Sequence, residues 1–166
     1  MQKISKLISD YLVKLLLSLL IIPFLLLPSE SYAEVTETEI NGSLMEASTE
    51  FLRDLDYETW QLVAYQSSDN NEKLVLRVIG YPGNLRIDHP LPLDVESGRK
   101  NWKLDDITLS NVELAEDNRQ AAAEFDLDIL INDISQNRPL RLSLPGVFSE
   151  LPVPPFVVKE WRTLKK

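Results

Sequence analysis

The chain has no cysteine and a single histidine among 166 residues. The first absence excludes disulfides, thiolate metal sites, iron–sulfur clusters and cysteine nucleophiles; the second excludes a two-histidine metal centre. Glycine is scarce as well. The five glycines gather no closer than Gly80 and Gly83, so there is no glycine-rich phosphate loop. Positive charge is in short supply: 17 Lys and Arg against 26 Asp and Glu leave a net −9, a sign that repels phosphate backbones and excludes nucleic acid as a partner. No apolar run reaches the roughly 20 residues that a spanning helix needs. What remains is 44% hydrophobic and 26% charged, the composition of one packed domain.

The amino terminus reads as a leader. Lys3, Lys6 and Lys14 precede an apolar stretch from Leu15 to Leu27 that only Ser18 and Pro23 interrupt. That length suits a secretory h-region of about 7 to 15 residues. Pro28 stops the helix, and Ser31-Tyr32-Ala33 places small residues where a signal peptidase reads them, which predicts cleavage between Ala33 and Glu34. Retention as a membrane anchor is the other reading of residues 1–33. Residues 34–166 are then a single exported, acidic domain that must be held together by apolar burial alone.

Apolar residues in that domain recur with period two, which predicts strands. Trp60, Leu62 and Ala64 interleave with Val63 and Tyr65, and Leu74, Leu76 and Val78 with Val75 and Ile79, as in central strands covered on both faces. Leu140-Arg141-Leu142-Ser143-Leu144 and Leu85-Arg86-Ile87-Asp88 alternate apolar with polar, as where one sheet face meets water. Phe125, Leu127, Ile129 and Ile131 predict one long strand with Glu124, Asp126 and Asp128 on its solvated side. Turn signals lie between these runs, among them Ser67 to Asn71, Tyr81-Pro82-Gly83-Asn84 and Glu96 to Arg99. The fold class expected is all-β, an antiparallel β-sandwich or a small partly open β-barrel with little helix outside the leader. Glu116 to Glu124 reads as a loop entering a strand. From residue 138 to 166 the prolines at 139, 145, 152, 154 and 155 predict an extended carboxy-terminal arm laid across the domain.

These residues carry a resemblance. Leu52-Arg53-Asp54 before Trp60-Gln61, the block Leu76 to Gly83, His89-Pro90-Leu91-Pro92-Leu93 and the segment Leu151 to Trp161, with its Val-Pro-Pro-Phe-Val-Val and Glu-Trp, resemble a domain-of-unknown-function family of small exported cyanobacterial proteins. The resemblance covers nearly all of residues 34–166. It implies an oxygenic photosynthetic source and a destination in the periplasm or thylakoid lumen, and it supplies no catalytic residue.

Candidate chemistry is thin. Asp88 precedes His89, but neighbours along a strand point to opposite faces, so the pair does not make a dyad. Ser97, Ser110 and Ser149 lack the nucleophile-elbow pattern. Asp126, Asp128, Asp133 and Glu124 read as a solvated acidic face more readily than as a calcium site, since calcium sites are built on loops. No catalytic residue, cofactor site or metal site is assigned, and the chain is read as a non-enzyme. Pro154, Pro155, Phe156 and Trp161 have two readings: an arm packed onto the sheet edge, or a hook for a partner. The basic residues Lys159, Arg162, Lys165 and Lys166 allow peripheral contact with an anionic membrane. The function expected is an accessory or protein-binding module on the exported side of a photosynthetic membrane, held to a membrane-protein complex. The alternative is a small barrel that binds an apolar lipid or pigment between Trp60, Leu62, Phe125, Leu127 and Ile129.

Overall fold

The computed structural model describes residues 35–40, 42–67, 73–81, 87–116 and 121–165, all within the unit Ala33–Lys166. The leader with its Ala33–Glu34 cleavage point, the Pro82–Asn84 turn, Leu85-Arg86 and most of the Ser67–Asn71 turn lie outside the described residues, as does Lys166.

Nine strands are described: β1 (Val35–Ile40), β2 (Ser43–Arg53), β3 (Thr59–Ser67), β4 (Lys73–Ile79), β5 (Leu93–Ser97), β6 (Lys100–Leu104), β7 (Ala122–Asp126), β8 (Leu140–Leu144) and β9 (Phe148–Val153). They form two antiparallel sheets, one of order β1-β2-β3-β4-β7 and one of order β6-β5-β8-β9. The sheets pack face to face without closing into a barrel, so the fold is a β-sandwich. Their shared core takes Trp60, Leu62 and Ala64 from β3, Leu74, Leu76 and Val78 from β4, Phe125 from β7, and Val95, Leu142 and Leu151 from the smaller sheet.

β3 and β4 are covered on both sides, as their double apolar patterning requires. Val63, Tyr65 and Val75 point away from the main core into a second small cluster with Ile40 and Ala47. This outer side is covered by a strap: Asp106 bridges to Phe125, Thr108–Ser110 forms a single 3₁₀ turn, and Val112–Glu116 is the short helix α1. The strap corrects one expectation. Glu124 and Asp126 are buried beneath it instead of facing water.

The long strand from Phe125 to Ile131 is also corrected. β7 stops at Asp126, and Asp128–Asp133 is a helix, α2. Leu127, Leu130, Ile131 and Ile134 fall at i, i+3, i+4 and i+7, and all four are buried. The Asp126 carboxylate accepts the Asp128 N–H at 3.1 Å and starts the turn. Ile129, which an extended strand would bury, is 48% exposed.

The carboxy-terminal segment is extended strand only as far as Val153, and there it is paired into the smaller sheet instead of being laid across the domain. β9 pairs with β8, and Pro155–Leu164 forms the helix α3. Pro154 sits in the extended cap position and Pro155 inside the first turn, where a missing N–H is no loss. The paired prolines start a helix instead of preventing one. Val157, Val158, Trp161 and Leu164 make its buried stripe, and Trp161 is 0% exposed.

Candidate functional site: an anchored aromatic turn

The link between β2 and β3, Asp54 to Glu58, contains neither glycine nor proline. Its shape is imposed by Asp54. One carboxylate oxygen accepts the N–H groups of Asp56 and Glu58, both at 2.9 Å, and the other accepts the Trp60 indole N–H at 2.9 Å. Asp54 itself is only 7% exposed. The Asp54 N–H donates to the Glu58 carbonyl, and the Leu55 N–H donates to the Glu150 carbonyl of β9, so the turn is tied to both sheets. The anchor is stiff because Trp60 is in the core, edge-on to Phe148 with ring centroids 4.9 Å apart. Gly80 lies against the same ring, where a Cβ would stand 2.7 Å from it.

This anchored turn drives Tyr57 to φ = +66°, the left-handed region that an aromatic residue rarely occupies. Tyr57 is 81% exposed; Leu55 in the same turn and Phe51 on β2 are each more than half exposed. Phe51 is opposite Gln61, which is opposite Ile79, so on the outer face of the larger sheet a polar side chain stands between the two apolar ones. Asp56 and Glu58 flank the tip. Strain held in place by a buried carboxylate, beneath an exposed aromatic residue, is a feature that binding surfaces use.

A second cluster lies under the strap. Glu124 accepts the Tyr65 hydroxyl at 2.6 Å and the Arg77 Nε–H at 2.8 Å, with Asn111 at 3.2 Å. Burial, followed by the bond to Glu124, pushes the Tyr65 phenol far above its ordinary range. Asp106 accepts the N–H groups of Leu91 at 2.8 Å and Thr108 at 2.9 Å, together with the Thr108 hydroxyl. The ring Nδ1 of His89 is 2.7 Å from the same carboxylate. Burial alone would raise the Asp106 pKa, but the bonds from Thr108, His89 and Leu91 outweigh it and hold the carboxyl below its ordinary value. The Thr108 hydroxyl accepts from the Glu124 N–H, which joins the two halves of the cluster. Donors and acceptors here are used on one another, and the cluster pins the strap to the sheet.

The sequence candidates are dispersed. His89 meets Asp106, seventeen residues on, while Asp88 is exposed. Ser97 donates to the Pro139 carbonyl, and Ser110 and Ser149 lie on exposed positions of the strap and β9. Asp126 pairs with Lys73, Asp128 with Lys165 and Asp133 with Lys100. Among the described residues no three acidic or histidine side chains converge on a point where a metal would sit. Of the proposed hook, Trp161 is core and Phe156 is half-buried against it; Pro155 is exposed, and Pro154 lines an open groove of about 430 Å³ with Pro139, Pro152, Glu96 and Arg141. Of the basic tail, Arg162 donates to Asn137 and Lys165 to Asp128 and Asn132, while Lys159 is exposed. Trp60, Leu62, Phe125 and Leu127, the expected lining of an apolar cavity, are packed in the shared core. Among the described residues no helix is long and apolar enough to cross a membrane.

Sequence reasoning misses Asp54, Leu55 and Tyr57 as a site. The one sequence signal was an aspartate at the end of a strand pattern with no glycine or proline before the next, since an aspartate side chain can template a turn by accepting backbone N–H groups a few residues on.

Fold and turn together define a small antiparallel sandwich that presents one rigid, aromatic-tipped loop. The chain belongs to the family described as protein of unknown function (DUF3122), which matches residues 33–164. Comparison with curated proteins and with solved structures found no match.

Proposed function

We propose that this is an exported, non-catalytic binding module of a cyanobacterial cell, acting in the periplasm or thylakoid lumen, and that it docks to a membrane-protein complex through the Asp54–Glu58 turn. The observation that carries the reading is Tyr57, exposed and held in a left-handed backbone by the buried Asp54. A preorganised aromatic side chain loses little entropy on binding and suits the centre of an interface. Asp56 and Glu58 beside the tip, on a chain of net charge −9, favour a partner whose apolar recess is rimmed by lysine and arginine.

Affinity recovery of the tagged chain from solubilised host membranes tests this. The wild type is expected to bring down a defined polypeptide, more weakly at high salt. The double variant Leu55→Ser/Tyr57→Ser is expected to lose that polypeptide while melting at an unchanged temperature. Equal recovery by the variant would remove the turn from the interface.

A further inference from the structure

The seam between α3 and β2 holds a second carboxylate arrangement, separate from the turn. Glu160 of α3 is 8% exposed and accepts the Ser48 hydroxyl at 2.6 Å, with Ser48 itself fully buried. Strand alternation places Glu50 and Glu46 on the same face of β2 as Ser48, and Glu37 of β1 is directly opposite Glu46. The face of β3 against which α3 packs offers Trp60, Leu62, Ala64 and Gln66, none of which titrates. β9, which also approaches β2, has Glu150 as its one titratable residue, and that side chain pairs with Arg141. Of the described cations on α3 and at its end, Arg162 bonds Asn137, Lys165 bonds Asp128, and Lys159 is exposed. Among the described residues, the two charged groups that the Ser48 bond and the β2 register bring to this seam, Glu160 and Glu50, are both acids. Burial, followed by the charge of Glu160, raises the Glu50 pKa above its ordinary value.

We propose that this seam is an acid-set clasp: when the medium acidifies, Glu50 takes up a proton, its repulsion with the Glu160 carboxylate held by Ser48 is removed, and α3 is held more tightly to the larger sheet. The sign follows from linkage. A carboxyl whose pKa is higher in the folded state than in the unfolded state favours folding more as pH falls through the folded value. The docking of α3, which carries Trp161 into the core, is thereby coupled to compartment pH, whether or not the turn is a binding site.

Hydrogen exchange of the full chain tests the clasp, read as protection of the Val157–Leu164 amides after division by intrinsic rates at pH 7.5 and pH 5.0. In the wild type, protection of α3 is expected to rise severalfold on acidification while that of β4 changes little. Glu50→Gln is expected to give acid-like protection at both pH values, and Glu160→Gln to flatten the pH dependence in the same way. Ser48→Ala is expected to lower α3 protection at both. Wild-type protection that is flat or falls between pH 7.5 and 5.0 would overturn the proposal, as would a Glu50→Gln chain that keeps the wild-type response.

Discussion

At the scale of single residues, Tyr57 and Asp54 separate stability from presentation. A non-glycine residue in the left-handed region costs about 1–2 kcal/mol, and the Tyr57 ring is too exposed to recover that by packing. Tyr57→Gly should therefore leave the melting temperature unchanged or raise it by a few degrees while abolishing partner recovery, checked by calorimetry and affinity recovery on the same preparations. A melting temperature several degrees lower would show that the ring supports the fold. Asp54→Ala should act oppositely. It leaves the buried Trp60 indole N–H and two turn amides without an acceptor, at a cost of roughly 1–3 kcal/mol each when fully buried, less for the two amides at the surface. Little of this was legible in the sequence. Asp54 looked like any acid between two strands, because which of its neighbours are N–H donors depends on where the chain turns. His89 was weighed against Asp88, its chain neighbour, whereas the carboxylate it meets is brought to it by the strap.

At the scale of elements, the central strands were legible because period two on both faces has one geometric solution. β3 and β4 bury opposite sets of side chains in two clusters, as their patterns require. The errors came where two periods fit the same letters. From Leu127 to Ile134 the apolar residues satisfy both alternation and helical spacing, and the helix is the solution that buries Leu127, Leu130, Ile131 and Ile134 together, while the Asp126 carboxylate takes up the Asp128 N–H at its start. Prolines before Phe156 read as breakers by count, yet their position makes them helix starters. The consequence for α3 is measurable. Trp161→Ala removes the largest fully buried side chain, which costs about 3–5 kcal/mol and should lower the melting temperature by well over 5 °C. A change under 2 °C would mean that α3 is not integral to the core.

At the scale of the whole molecule, two opposed carboxyl effects give stability a maximum on the acid side of neutrality. Glu50, raised by burial and by Glu160, adds stability as pH falls toward the ordinary glutamate value. Asp106, held low by its hydrogen bonds, contributes stability above the ordinary aspartate value of about 3.9, and that contribution is lost as pH falls through its depressed folded value. Melting temperature should therefore hold or rise from pH 7.5 to about 5 and drop below about 4. Asp106→Asn should melt lower at neutral pH and show a shallower acid decline, read by circular dichroism across that range. A steady fall from neutrality downward would contradict both assignments. The sandwich itself was legible from strand pattern and composition, but the strap and α3 were not, because each covers a sheet face through contacts distant in the chain.

The order in which the layers are laid down has its own consequence. Both sheets precede α3 along the polypeptide, yet the core they share is roofed in part by Trp161. A chain shortened to end before Pro155 keeps every described strand and loses Trp161, which leaves that interior unfinished.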